Sequence, residues 1–253
     1  MKKYLISALF IIIHITLCLG IQSDTFSLAN SALEEGKIDD AIALYSTLSD
    51  NGYGSTVLYY NLGSAYAQKE DWGDARLYLE RAKLEDPLSK EIDQNLEFVK
   101  DKVGDYYHFP AYPLSGVIKR IHGLFGKDIL AITLWISFSI TLMMLYRWKI
   151  KKMSGRWKVL TYGFLWLSGF LLVLFLFELS YYSFHSKMAI ASSSKELYEV
   201  PEESSSLIVQ LNAGHKVRIL EDLGKWKRID LSDGTEGWLT SEHLEPIVTK
   251  QKS

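Results

Sequence analysis

The sequence predicts a multidomain membrane protein with three parts: an all-α repeat domain, a two-helix transmembrane hairpin and a small all-β barrel. Three observations predict this organisation. Uncharged apolar runs at 129–146 and 159–177 are each long enough to cross a bilayer. A helical pattern before these runs recurs after 34 residues, and short alternating runs typical of strands follow them.

The two apolar runs predict transmembrane helices at 129–146 and 159–179. A helix over either run is roughly 28 Å long, which is close to the hydrocarbon thickness of about 30 Å. Aromatic residues near the helix ends, such as Tyr146 and Tyr181, suit the headgroup level. Glu178 is expected to be a solvated acid at the edge of the bilayer, and an intramembrane functional acid is the alternative. A buried helical hairpin in a soluble core is the alternative interpretation.

The connector at 147–158 predicts the orientation of the hairpin. It has no acidic residue, and its basic residues are Arg147, Lys149, Lys151, Lys152, Arg156 and Lys158. Short basic loops are retained in the cytoplasm. We therefore expect a multi-pass membrane protein, with both soluble domains on the non-cytoplasmic side.

Residues 1–20 predict an N-terminal targeting segment. A basic start precedes a continuous apolar run, which is typical of a signal peptide cleaved after Gly20 or of a retained N-terminal anchor. Acylation of Cys18 is a third interpretation, although Leu17 is bulky where a small residue is usual. All three interpretations send the residues that follow out of the cytoplasm.

Composition argues against several classes of function. The formal net charge is −2 and acidic residues predominate in 24–105, which argues against nucleic-acid binding. Cys18 is the only cysteine, so no intramolecular disulfide can form. The histidines lack zinc-site spacing, and neither a phosphate-binding glycine loop nor a nucleophile elbow is present. We expect no catalytic residue, no metal, no cofactor and a protein that is not an enzyme.

Residues 22–103 contain a repeat, with copies at 22–55 and 56–89. The second copy has Tyr59, Leu62, Gly63, Tyr66, Ala75, Leu79, Ala82 and Pro87, and the first has Thr25, Leu28, Ala29, Ala32, Ala41, Tyr45, Leu48 and Tyr53. This pattern resembles the tetratricopeptide repeat, in which each repeat is a pair of helices that stacks on the next pair. Small residues at Gly63 and Ala75 are expected to let the two helices of the second repeat approach closely.

An amphipathic helix at 90–103 is expected to cap the two repeats. About three repeats are usually needed for a continuous core. The domain is therefore expected to be stabilised by contact with the membrane, with the other soluble domain or with a partner. Residues 104–128 predict a linker. Within it, 117–125 is either an interfacial helix or an ordinary connector.

Residues 187–247 predict a small barrel, with strands at 188–191, 197–200, 208–211, 216–220, 226–230 and 236–240. The turn at 232–234 is typical of a hairpin. The segment resembles a bacterial SH3 domain through Pro201, Leu207, Leu211, Gly214, Val217, Leu220, Trp226, Ile229, Leu231, Asp233, Gly234, Gly237, Trp238 and Leu244. Many wall-binding members have an arginine before the first loop, and its absence near Pro201 weakens a glycan-ligand interpretation.

The predicted concave face of the repeats is the best candidate binding surface, because amide and aromatic side chains can pair with an extended peptide or a partner helix. In the barrel, one tryptophan is either core or a half-exposed platform. The candidate protein-binding residues are Phe26, Asn30, Glu34, Tyr60, Asn61, Ser64, Gln68 and Trp226. The alternative is that those of the repeats are merely solvated.

The order of leader, tetratricopeptide repeats, membrane hairpin and SH3-like barrel resembles component E of the Bacteroides aerotolerance (Bat) proteins. The resemblance implies a non-enzymatic inner-membrane scaffold that presents both modules to the periplasm. It also implies a complex with von Willebrand factor A-domain membrane proteins, linked to oxidative-stress tolerance or envelope integrity. The alternative is a peptidoglycan-binding membrane anchor that works through its SH3-like domain.

Overall fold

The computed structural model describes residues 24–105, 109, 115–150 and 155–248. These residues form two compact units. The first contains the N-terminal helices together with the C-terminal strands, and the second contains two long helices from the middle of the chain. The predicted targeting segment at 1–20 lies outside the described residues, as does the centre of the basic connector.

Five helices open the described part of the first unit: α1 at 24–34, α2 at Ile38–Asp50, α3 at Thr56–Gln68, α4 at Trp72–Glu85 and α5 at Lys90–Val103. Ser55 and Ser89 begin α3 and α5, because their hydroxyl oxygens accept backbone N–H groups at 3.2 and 3.3 Å. Gly104 ends α5 with a φ of 79°, a conformation that favours glycine. The result is two helix pairs followed by a fifth helix.

Apolar clusters join these helices. Tyr45 and Leu62 lie in a cluster shared by α1, α2 and α3, and Leu79 lies in one shared by α4 and α5. A methyl group added at Gly63 would lie 2.8 Å from Cγ of Leu79 and 3.1 Å from the carbonyl oxygen of Ala75. The predicted close approach of α3 and α4 is therefore confirmed. The identity of the pairs as tetratricopeptide repeats stays a prediction.

The C-terminal strands form one antiparallel sheet in the order β3-β2-β6-β5-β4-β1-β7. Their bounds are β1 Met188–Ala191, β2 Lys195–Tyr198, β3 Leu207–Leu211, β4 Lys216–Leu223, β5 Trp226–Asp230, β6 Glu236–Thr240 and β7 Leu244–Pro246. The buried residues Ala189, Leu197, Val217, Ile229 and Leu244 come from five strands and form one cluster. The sheet therefore curls around a single core, as a barrel does.

The predicted strands differ from the observed ones in four places. β3 begins one residue earlier, at Leu207, and β4 ends three residues later, at Leu223. β2 lies two residues earlier than predicted, because Leu197 pairs with Val209 and the chain at Val200 has already entered the turn that leads to β3. The sequence does not predict β7, which is only three residues long and includes Pro246. Proline has no N–H group to donate to a neighbouring strand and occurs at sheet edges. The alternation of apolar residues that predicts a strand is weak there. The predicted hairpin at 232–234 is confirmed between β5 and β6.

The second unit contains α6 at Ser115–Ile150 and α7 at Gly155–His185. Both are long and apolar enough to cross a membrane. The backbone of α6 is helical from the predicted linker through the first predicted span. Hydroxyl groups join the two helices: Oγ of Ser168 lies 2.8 Å from Oγ of Ser137 and 3.0 Å from Oγ1 of Thr141. Such contacts stabilise helix pairs in lipid.

Glu178 does not occupy the solvated position predicted for it. Its side chain is 5% exposed, and Tyr181, three residues later on α7, is equally buried. Residues at this spacing share one helix face. The prediction was wrong because it considered the depth of Glu178 along the helix and not the face on which it lies.

Replacing Gly63 with alanine should lower the free energy of unfolding by about 1–3 kcal/mol, because the new methyl group would meet the backbone of α4 as well as Leu79. Alanine has the higher helix propensity, so a loss of stability would come from packing. The check is thermal melting of the whole protein in detergent. Gln68→Ala, at an exposed position on the same helix, is the matched control. An unchanged melting temperature for Gly63→Ala would contradict the close approach of α3 and α4.

Candidate functional site

The first group of candidate residues lies where α1, α2 and α3 meet. Tyr45 donates a hydrogen bond to Oδ1 of Asn30 (2.6 Å), and Nδ2 of Asn61 donates to that oxygen and to the Tyr45 hydroxyl (3.2 Å each). Burial raises the pKa of Tyr45, which keeps its hydroxyl able to donate. Phe26 packs against the Tyr45 ring with the centroids 5.8 Å apart. These side chains therefore hold three helices together.

A second group lies between α3 and α5. Nδ2 of Asn95 donates to the Tyr60 hydroxyl at 3.0 Å, and the hydroxyl donates to Oε1 of Glu91 at 3.3 Å. Burial raises the pKa of Tyr60, with the negative charge of Glu91 acting in the same direction. Sequence reasoning did not single out Asn95. It stands 34 residues after Asn61, so the repeat period was the signal that would have found it.

Together these contacts define an amide row, formed by Asn30 on α1, Asn61 on α3 and Asn95 on α5. An asparagine amide has two N–H donors and an oxygen with two lone pairs, so each amide retains capacity for a ligand. Glu34 and Gln68, at equivalent positions in the two predicted repeats, are exposed near the ends of α1 and α3. Ser64 is half-buried. All seven helical candidates thus lie on α1 or α3.

The remaining candidate, Trp226, lies in a cleft of the barrel. Its ring meets Tyr198 edge to face, with centroids 5.9 Å apart. The cleft has a volume of about 400 Å³, and its other lining residues include Glu196, Gln210 and His243. The Tyr198 hydroxyl donates to Oε2 of Glu196 at 2.7 Å. Trp226 is half-buried, so of the two predicted roles the platform fits its position.

A joint connects the helices to the barrel within the first unit. Arg76 on α4 is 2% exposed, and its Nη1 donates to Oδ2 of Asp105 (2.5 Å) and to the carbonyl oxygen of Gly214 (2.8 Å). The backbone N–H of Lys216 donates to the same Asp105 oxygen at 3.3 Å. The short helical domain was predicted to be stabilised by the membrane, by the other soluble domain or by a partner. The structure shows contact with the other soluble domain.

Glu80 extends this joint by one turn of α4. Nζ of Lys216 donates to its Oε2 at 2.7 Å, and the Arg76 guanidinium lies 3.9 Å from Oε1. Burial acts to raise the pKa of Glu80, but the charges of Lys216 and Arg76 outweigh it and lower the pKa to about 2. Glu80 is therefore a carboxylate at neutral pH, and the joint buries opposite charges in compensation.

Close backbone packing completes the joint. A methyl group at Gly214 would lie 2.6 Å from Cγ2 of Val103, and one at Gly73 would lie 3.2 Å from the carbonyl oxygen of Ser192. Gly214 has a φ of 88°, so glycine is required there for conformation as well as for space. Sequence analysis assigned Gly214 to an SH3-like turn, and nothing local in the sequence indicated the contact with α5.

Among the side chains that the structure describes, no group of three or more His, Cys, Asp or Glu residues is placed to hold a metal ion. The chemistry available at the amide row and at the barrel cleft is hydrogen bonding, aromatic contact and charge pairing.

Comparison with known proteins identifies the barrel. The family model described as bacterial SH3 domain matches residues 196–245, from the second residue of β2 to the second residue of β7. The C-terminal part of the chain is thus a bacterial SH3 domain, a kind of module that binds peptidoglycan or protein. No curated protein matches the chain. The resemblance to the Bat proteins stays a prediction.

Replacing Glu80 with glutamine should destabilise the protein by a few kcal/mol at pH 7, because it leaves Lys216 and Arg76 short of a buried partner. The folded-state pKa of Glu80 lies below its ordinary value of 4.5. Its stabilisation is therefore complete above pH 4.5 and is lost as the pH falls towards 2. The difference in melting temperature between variant and wild type should shrink over that range. A constant difference, or one matched by the exposed control Glu34→Gln, would contradict the pairing.

Proposed function

We propose that this protein is a non-enzymatic scaffold of the bacterial inner membrane that holds partner proteins through its helical domain and its SH3 domain. The joint between these domains is the observation that carries the proposal. Arg76, Asp105 and Gly214 join them into one unit, so the amide row and the barrel cleft are presented together. A rigid pair of binding surfaces suits a protein that positions others.

The joint also supports the topology. Residues before and after the hairpin belong to one unit, so they must lie on the same side of any membrane that α6 and α7 cross. Two crossings satisfy this requirement. The basic residues of the connector favour the cytoplasm for the tip of the hairpin, and the two domains then face the periplasm.

The proposed partners are von Willebrand factor A-domain membrane proteins, by resemblance to the Bat proteins, with a role in oxidative-stress tolerance or envelope integrity. The helical pairs are proposed to be tetratricopeptide repeats whose α1, α3 and α5 face the partner. Asn30, Asn61 and Asn95 support this, since amides can pair with the backbone of an extended segment.

A peptidoglycan-binding anchor is the second candidate function. The match of 196–245 to a bacterial SH3 domain favours it, and the cleft at Tyr198 and Trp226 offers an aromatic platform with polar groups around it. Sedimentation of the whole protein with purified sacculi tests this candidate. Binding that is lost in Trp226→Ala would support the anchor.

Orientation can be tested with an engineered disulfide across the joint. The Cβ of a residue replacing Gly73 would lie 3.7 Å from Cβ of Ala213, within the range of about 3.5–4.5 Å for a disulfide. The pair Gly73→Cys with Ala213→Cys, in a Cys18→Ser background, should therefore oxidise in living cells if the joint is periplasmic. Peptide mass spectrometry after alkylation detects the bridge, and each single variant is a control. A bridge that forms only after lysis and added oxidant would place the joint in the cytoplasm.

The scaffold function can be tested at the exposed end of the candidate surface. The double variant Glu34→Lys with Gln68→Lys should lower the amount of co-purified partner at least tenfold. Its melting temperature should be unchanged, because both side chains are exposed. Quantitative mass spectrometry of the tagged protein, purified from its native membrane in mild detergent, measures release. Ser31→Lys with Glu35→Lys is the matched control, since these residues are also exposed but are not among the candidate binding residues. If no partner co-purifies with the wild-type protein and the variant keeps its peroxide tolerance, the scaffold function is contradicted.

A further inference from the structure

The barrel has two edge strands, β3 and β7, and they differ in how they are protected. Next to β7, Arg81 on α4 donates to the carbonyl oxygens of Pro246 (3.0 Å) and Ile247 (3.2 Å). Proline and a covering helix are two means by which proteins prevent a sheet edge from pairing with another strand. The β7 edge is therefore closed.

Strand β3 lacks these protections. Leu207–Leu211 has neither a charged residue nor a proline, and β2 is its only partner strand among the described residues. Leu207, Ile208 and Val209 are 54%, 41% and 39% exposed. An open edge offers backbone N–H and C=O groups to an added strand, and neighbouring apolar side chains can receive alternate side chains of that strand.

The surface beside β3 is acidic. Glu196 on β2 and Glu199, Glu202 and Glu203 in the turn before β3 are all exposed, and residues 196–211 contain no lysine or arginine. Nζ of Lys225 already lies 3.3 Å from Oε1 of Glu203, so this surface accepts an ammonium group. A second copy of this surface would bring the same four glutamates and only two neighbouring lysines, Lys195 on β2 and Lys225, so its charge would not be complementary.

We propose that β3 binds an extended segment of a partner protein as an additional strand, and that this segment alternates apolar residues with lysine or arginine. Backbone hydrogen bonds would provide affinity, and the four glutamates would select a basic segment over an acidic one. The inference rests on the proposed scaffold function, and it specifies how the SH3 domain would bind a partner.

The experiment uses the whole protein in detergent and three acetylated seven-residue peptides. The first alternates lysine with valine, the second has glutamate in place of lysine, and the third is the first with every backbone nitrogen methylated. The lysine peptide should bind at least tenfold more tightly than either of the others, and it should slow amide hydrogen exchange in 207–211. Val209→Lys should weaken its binding at least tenfold, while Leu223→Lys, at an exposed apolar position on β4, should not.

Several outcomes would overturn the inference. Equal binding of the methylated peptide would show that no strand is added, and equal binding of the glutamate peptide would show that charge does not select the ligand. A dimer that forms without peptide and dissociates in Val209→Lys would identify a second copy as the occupant. If no peptide binds and Val209→Lys still co-purifies with its membrane partners, the edge inference fails and the scaffold stands.

Discussion

The first unit depends on the burial of one guanidinium group. An unpaired charge in the interior costs several kcal/mol, and Arg76 is 2% exposed. Its partners come from two parts of the chain: Asp105 follows α5, and Gly214 precedes β4. Asp105 supplies the opposite charge and the Gly214 carbonyl accepts a second hydrogen bond from the same nitrogen, so helices and barrel stabilise one another. This explains how a domain of two helix pairs and one further helix exists without a third pair.

The joint changes what the hairpin is. In sequence, the chain reads as a repeat domain, a hairpin and a separate barrel. In the structure, residues on either side of the hairpin share one unit, so α6 and α7 are an insertion into a composite domain. The distance between the amide row and the barrel cleft is then a property of the fold rather than of a linker. Partners held at both surfaces would be held at a set separation.

Sequence patterns anticipate the elements better than the contacts between them. Strand β5 and helix α5 have the predicted bounds because alternation and capping residues are local signals. Arg76 and Gly214 are 138 positions apart, and no periodicity connects a charged residue to a distant backbone carbonyl. The same limit applies to the candidate site. Phe26 and Asn30 were assigned to a groove by their repeat positions, but only the structure shows that they also contact Tyr45.

The order of synthesis gives the joint a further consequence. Arg76 and Glu80 leave the ribosome long before Gly214 and Lys216, because the two apolar helices are made in between. Domains generally fold as units during synthesis, but this unit lacks the Gly214 carbonyl and the Lys216 charge until the barrel is being made. A chain truncated after α7 would keep two charged side chains without their C-terminal partners. The joint can therefore close only after synthesis has passed both apolar helices and reached the start of β4.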